Sequence, residues 1–486
     1  MNTSHLNIGI IHSLIGKNDG VSIVIDQTVN AMIDYMNIDL GNIYFLGAHS
    51  SPRFNAETNE IFWHKSEMHK YILRTFSEPP TEGLDKMIHE KAVEAKKIIK
   101  QFVEKNKLDL IIAHNTSHPY NFITAIGLGY YMEELRKEGI IWPKLLVWWH
   151  DSYFEREKFK NPNEVVQQYL RFLPGTYIDG MVFINSGQPD LAKRLLQKLN
   201  HQKLDTFFKE RTEIIPNTCE IPWDWKERDW NSGRLIYPEQ DNYNDTFFRD
   251  VGLLDELDAK GFGIEETVIL LQHTRVVPRK NIEKAIDFAF KLDKKFRKQG
   301  LVKCFVVLVS GHSGDEEVDY KKFLVDYKDK MLQENPDAHF LLIFGENNIL
   351  THRDIIVDKK YYKFKEVPSI IASVGGIGTY FSEVEGYGNN LLEMISMGLP
   401  VFINKYDVYK KDIEHLGFKL PAVENGTLND EIIEEAYSVL TDMKKRNEMI
   451  HHNIKNLHEK LDHAIIAEKL NPLIERIFTK MLSYKK

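Results

Sequence analysis

The stretch GIGTYFSEVEGYGNNLLEMISMGLPVFIN (376–404) contains a complete strand–turn–helix–strand pattern. An apolar run, 376–382, gives way to a polar turn carrying Gly386 and Gly388. Leu391, Leu392 and Ile395 then recur at helical spacing. Gly398 and Pro400 stop that helix just before a second apolar run, PVFIN (400–404). Short strands without polar alternation, joined by helices, build parallel sheets covered on both faces. Asn389 or Asn390 is the expected N-cap. Glu393 falls on the face of Asn389, Asn390 and Met397, away from the leucines. Backbone N–H groups at such a helix start bind phosphate, and glycines at 386 and 388 let a ligand come close. A capped helix with two solvated glutamates, Glu385 and Glu393, is the plainer account of the same residues.

Working outward, the pattern repeats. LNIGIIH (6–12), NIYFLG (42–47), LDLIIAH (108–114), KLLVWWH (144–150) and GMVFIN (180–185) are candidate strands in the first half. TVILLQH (267–273), KCFVVLVSG (303–311) and AHFLLIFG (338–345) join the two runs above in the second. Helix-length segments separate them, such as 84–103 with Leu84, Ile88, Ala95, Ile98, Ile99 and Phe102. The fold class is therefore α/β, with two doubly wound parallel-sheet domains and a ligand cleft between them. We place the first at 1–220 and the second at 221–462. A C-terminal helical segment, 463–486, is expected to pack back on the first. Residues 226–266, irregular in composition, read as an extended connection or surface excursion.

Composition narrows the function classes. The chain has 486 residues, enough for substantial cores, and a net charge of −8 that gives no sign of nucleic-acid binding. Its two cysteines, Cys219 and Cys304, sit in apolar runs; they rule out a disulfide scaffold and fit a reducing cytoplasm. The N-terminus has no basic region ahead of its apolar run, and no apolar stretch approaches membrane-spanning length. No His/Cys/Asp/Glu cluster has zinc spacing, and no G-x4-G-K-[ST] loop occurs.

A second motif shifts the balance away from two solvated glutamates. HTRVVPRKNIEKAI (273–286) follows the first strand of the second domain and offers Arg275 and Lys280. Two cations beyond a strand end could clamp a diphosphate as it accumulates charge. Ser310 and Gly311, after another strand, are small enough to admit backbone contact with a ligand. On the first domain, His114 and Asn115 follow one strand, and His150 and Asp151 emerge after Trp148 and Trp149. These are strand-end candidates for a binding site.

The motifs taken together resemble the retaining glycosyltransferases of family four. Glu385 and Glu393 stand in the E-x7-E spacing, TRVVPRK is similar to the R-x4-K element, and SEVEGYGNNLLEMISMGLPV (382–401) resembles the glycine-containing stretch of that family. IIPNTCE (214–220), the His150–Asp151 pair and IGKNDGVS (15–22) resemble its interdomain, strand-end and first-loop segments. The resemblance spans roughly residues 6–480. It implies a GT-B fold, a nucleoside diphosphate sugar donor of the UDP-glucose or GDP-mannose type, and catalysis without a metal or other cofactor. It implies that Arg275 and Lys280 hold the diphosphate, Glu393 the ribose and Glu385 the donor sugar. The resemblance further implies that Gly386, Tyr387, Gly388, Asn389, Asn390, Leu391, Ser310 and Gly311 line the donor, that Gly20 faces the diphosphate, that His150 lies near the reacting side of the sugar, and that His114, Asn115 and Asp151 are acceptor-side candidates. The residues themselves do not say which glutamate takes which task.

The sequence departs from the family at NDGVS (18–22), PNT (216–218) and the long 226–266 segment. The acceptor is read from charge instead. Residues 1–220 hold 25 Lys/Arg against 27 Asp/Glu, with no basic face for lipid, which favours a small soluble sugar, glycoside or polyol acid. A sugar-nucleotide epimerase and a non-catalytic sugar-nucleotide-binding subunit are the competing readings.

Overall fold

The computed structural model describes residues 3–17, 19–198, 204–312 and 318–479. Asn18 of the first loop and residues 480–486 of the C-terminal segment lie outside them. The chain divides into two compact units, one running to Thr218 and resuming at His463, the other Cys219–Asp462.

The first unit is built on seven strands: β1 (Ile8–Ile11), β2 (Ile43–Gly47), β3 (Ala56–Thr58), β4 (Leu110–His114), β5 (Lys144–Trp149), β6 (Gly180–Phe183) and β7 (Thr212–Ile214). Their order is β3-β2-β1-β4-β5-β6-β7, and every pairing is parallel. β1 and β4, neighbours in space, carry connections that run to opposite sides, which makes their carboxyl ends the topological switch point. Strands β1 and β4 are buried along their whole length, as expected of a sheet covered on both faces. Helix α1 (Gly20–Met36) starts where Asp19 accepts from the N–H groups of Val21 and Ser22, both at 3.1 Å. Helix α2 (Leu84–Asn106) buries Leu84, Ile88, Ala92, Ala95, Ile99 and Phe102, one apolar stripe at 3.6-residue spacing, against α3 (Phe122–Lys137) and the sheet. The opposite face of the sheet is covered by α1 and by the C-terminal helix Ala464–Thr479, whose Leu470, Leu473, Ile474 and Ile477 join Ile8 and Ile10 in one core. Buried Arg211 fixes that helix by donating to the carbonyl of Ile477 at 3.0 Å.

The second unit repeats the plan with β8 (Thr267–Gln272), β9 (Cys304–Val309), β10 (Phe340–Phe344), β11 (Ile377–Tyr380), β12 (Val401–Asn404) and β13 (Ala422–Val423). The order is β10-β9-β8-β11-β12-β13, all parallel, so the switch point lies between β8 and β11. Helix α4 (Ile282–Lys298) follows β8, and α5 (Asn389–Ser396) follows β11.

Two expectations need correction. The N-cap of α5 is Gly388, at φ +127°, with Asn389 already helical. An added Cβ at 388 would lie 2.5 Å from the Tyr406 hydroxyl, so both backbone conformation and space demand glycine. The 226–266 segment is also more than an excursion. It folds into short helices, and Phe247, Leu253 and Leu257 are fully buried in the core of the second unit because they supply one of its apolar faces.

Candidate functional site

The two motifs of the second unit meet at its switch point, because one follows β8 and the other follows the adjacent β11. Lys280 and Glu385 are buried against each other as an ion pair. Arg279, which the sequence reading passed over, adds a second cation at 3.2 Å from the other oxygen of Glu385 and also donates to the Val384 carbonyl at 2.8 Å. The Lys280 ammonium lies 5.4 Å from the centre of the Tyr380 ring, and Tyr380 hydrogen-bonds Glu385. Burial and the nearby Arg279 and Arg275 bring the Lys280 ammonium down to about 8, against the pull of Glu385. Burial opposes the Glu385 charge, but Lys280 and Arg279 outweigh it and hold the carboxyl below its usual range. Arg275 itself is exposed at the strand end.

Glu393 is buried on the first turns of α5, with Oε2 3.3 Å from Nε2 of His273. His273 directly ends β8; Ser310 holds its Nδ1 at 2.8 Å, and Phe364 stacks on its ring at 3.9 Å. Phe364 arrives there from a three-stranded excursion, 349–363, inserted after β10. Asn390 donates from its side chain to the His273 carbonyl. Gly311 lets its loop press on the β8 loop, since a Cβ there would lie 2.2 Å from the Thr274 carbonyl oxygen. The plainer account of two solvated glutamates is therefore excluded. The side chains of Tyr387 and Leu391 are core residues, 2% and 0% exposed, so these two positions have only backbone to offer a donor. Gly386 is exposed, and Asn389 and Asn390 are partly exposed at that turn.

Cys219, expected in apolar surroundings, is partly exposed and lies near Glu393 and Ser396. Cys304 is buried in β9, and neither is in a disulfide.

In the first unit the structure gathers histidines at the carboxyl ends of β1, β4 and β5. Nδ1 of His114 and Nε2 of His150 are 3.2 Å apart. His12 lies beside them, with Nδ1 3.4 Å from the His114 carbonyl and Nε2 3.9 Å from Asp19. Burial, aided by mutual repulsion, keeps His114 neutral and takes His150 down to about 3. Asp151 accepts from Arg156 at 2.9 Å and lies 3.9 Å from His118. Burial works against its charge, but His118 and Arg156 hold it below the usual carboxylate range. Asn115 adopts φ +56° and accepts from the Asp151 N–H at 3.2 Å, tying two strand-end loops together. Gly20 is the first residue of α1, next to the Asp19 cap. His12 was missed, although His12, His114, His150 and His273 each close an apolar run, a signal available in the sequence. Among the described residues no group of three His, Cys, Asp or Glu side chains could hold a metal ion.

No family model matches the chain. It is 26% identical over 430 residues to the mannosylglucosylglycerate synthase of Petrotoga mobilis, covering 85% of this chain and 86% of that protein. It is 28% identical over 210 residues to the synthase of the same name from Thermotoga maritima, covering 39% and 44%. Among solved structures, HepE of Anabaena in complex with UDP-glucose matches at TM-score 0.55 and 12% identity, over 97% of this chain and all of that one. The catalytic domain of starch synthase IV from Arabidopsis thaliana matches at 0.58 and 12%, over 97% and 99%. The chain has the GT-B fold. The chain is a glycosyltransferase, on that fold together with its similarity through most of its length to a mannosylglucosylglycerate synthase. No helix among the described residues is long and apolar enough to cross a membrane.

Proposed function

We propose that this glycosyltransferase moves a hexosyl group, with retention, from a nucleoside diphosphate sugar of the UDP-glucose or GDP-mannose type to a hydroxyl of a small acidic glycoside. The observation that carries the reading is the meeting of the R-x4-K and E-x7-E elements on adjacent strands at a switch point. The names of the relatives support an acceptor of the glucosylglycerate class. Departure of the diphosphate builds negative charge, which Lys280, Arg279, Arg275 and the α5 start would stabilise in place of a metal ion. Glu393 would hold the ribose, with Asn389 and the 386–391 backbone along the donor. Ser310 and Gly311 shape its floor, and Gly20 the first-loop side.

Glu385 commits both oxygens to Lys280 and Arg279, which makes it a poor covalent nucleophile. A same-face displacement, in which the leaving phosphate takes the acceptor proton, fits better than the two-step route of retaining glycosidases. Glu385 would then act on the sugar through its charge. The neutral His114–His150 pair, with Asn115 and Asp151, would hydrogen-bond sugar hydroxyls. Two unpaired cysteines fit work in a reducing cytoplasm.

The test is incubation of GDP-mannose or UDP-glucose with glucosylglycerate and analysis of the products by NMR. An α-linked product is expected. Donor epimerised without acceptor, a β-linked product, or tight donor binding with no transfer would overturn the reading.

A further inference from the structure

A cavity lies in the first unit, beside the carboxyl ends of β1, β2 and β3, lined by none of the site residues named above. Its volume is about 490 Å³, within the range of small-molecule sites. Lys17, His49, Ser50, Thr58 and Trp63 line it, over an apolar floor from Leu14. The frame is fixed by backbone. Leu14–Ile15 pairs in parallel with His49–Ser50, and the Ser51 N–H donates to the Ile15 carbonyl at 2.9 Å. Trp63 is wedged between two imidazoles, with His49 edge-on at 4.5 Å and His64 tilted at 4.5 Å, so its indole cannot turn freely.

The polar groups converge but do not satisfy one another. Among the described residues the Lys17 ammonium and the Ser50 and Thr58 hydroxyls make no hydrogen bond or ion pair with protein. Lys17 is the one charged side chain in the lining, and no carboxylate answers it there. A cation, two hydroxyls and an immobilised aromatic ring around one cavity suit a sugar ring carrying a single anionic group. The indole face takes the C–H side of the ring, the hydroxyls take its hydroxyls, and the ammonium takes the charge.

From this we infer that the Lys17–Trp63 cavity is the subsite that selects an acidic glycoside as acceptor, with Lys17 on its carboxylate and Trp63 under its sugar. The inference rests on the acceptor class proposed above. The test compares glucosylglycerate with its neutral analogue glucosylglycerol, using the full chain, Lys17→Gln and Trp63→Leu. Lys17→Gln should weaken glucosylglycerate binding about tenfold or more, as expected for a lost charge-assisted contact, and leave glucosylglycerol unchanged. Trp63→Leu should weaken both. The donor-induced thermal shift should persist in all three proteins.

Ligand-observed NMR reads binding independently of turnover, so the two claims separate. Glucosylglycerate binding that is lost in Lys17→Gln upholds the subsite even if no transfer occurs, in which case the proposed reaction alone fails. Equal binding by Lys17→Gln and the parent chain, or no binding by the parent chain, overturns the subsite whatever the enzyme transfers.

Discussion

Replacing Lys280 by Ala tests the geometry of the donor site most directly. Lys280 and Glu385 are 7% and 9% exposed, so the substitution leaves a buried carboxylate facing only Arg279, which is one-third exposed and 3.2 Å away. Breaking a buried pair from one side typically costs about 3–5 kcal/mol, and the remaining Arg279 argues for the lower end, about 3 kcal/mol. For a unit of this size that is a fall in Tm of roughly 6–12 °C by calorimetry. Removing both charges with Lys280→Met/Glu385→Gln should restore most of the stability, because a neutral pair needs no buried counter-charge. Transfer should behave differently. Loss of one preorganised cation from the leaving-group site lowers kcat by about 10²–10³, and the double variant should recover none of it. Turnover of both variants is measured well below the lower Tm. A single variant that melts with the parent chain would refute the buried pair, and a double variant with near-parent turnover would refute the clamp.

Because the Lys280 ammonium titrates at about 8, kcat/KM for the donor should fall as pH rises through that value, where the cation is lost. Lys280→Arg should carry this alkaline limb upward, and a pH–rate profile flat from about 7 to about 9.5 would contradict the assignment. Gly388→Ala forces φ +127° on a side chain and drives its Cβ into Tyr406, so it should cost about 1–3 kcal/mol in urea unfolding. Adding Tyr406→Phe should relieve the contact but not the backbone strain. Buried Arg446 donates to the carbonyls of Gly375 and Gly376 at 3.0 and 2.7 Å. Arg446→Met orphans both acceptors at the entrance to β11 and should lower the urea midpoint by the equivalent of about 2–6 kcal/mol, from about 1–3 for each lost partner.

The fold was legible because burial on both faces leaves a strand no polar positions, and runs such as LDLIIAH and TVILLQH announce that outright. The site was legible only where it follows directly from a strand end. Lys280 and Glu385 are 105 residues apart, and nothing in either motif says that one neutralises the other. Cap propensity pointed to asparagine, but the tight approach of Tyr406 decided for Gly388. The polar composition of 226–266 hid Phe247, Leu253 and Leu257, which are core residues spaced too irregularly to show a period. Phe364 reaches His273 through an inserted three-stranded excursion, a tertiary event with no local signature. The strand-ending histidines were visible, but they were diluted among nineteen in the chain.

The charges at the second switch point also make sense as a set. Arg275, Arg279 and Lys280 cluster closely enough for the two arginines to depress the Lys280 ammonium, a repulsion that would splay them apart in an empty site. Glu385 bridges two of the three, Arg279 and Lys280, and offsets part of their charge. Under the proposed reading, the donor diphosphate is opposite in charge to this cluster and would settle against it. On that reading the buried carboxylate has a purpose beside an anion: it would hold Arg279 and Lys280 in position before the charge they await has formed, and such preorganisation is the source of electrostatic catalysis.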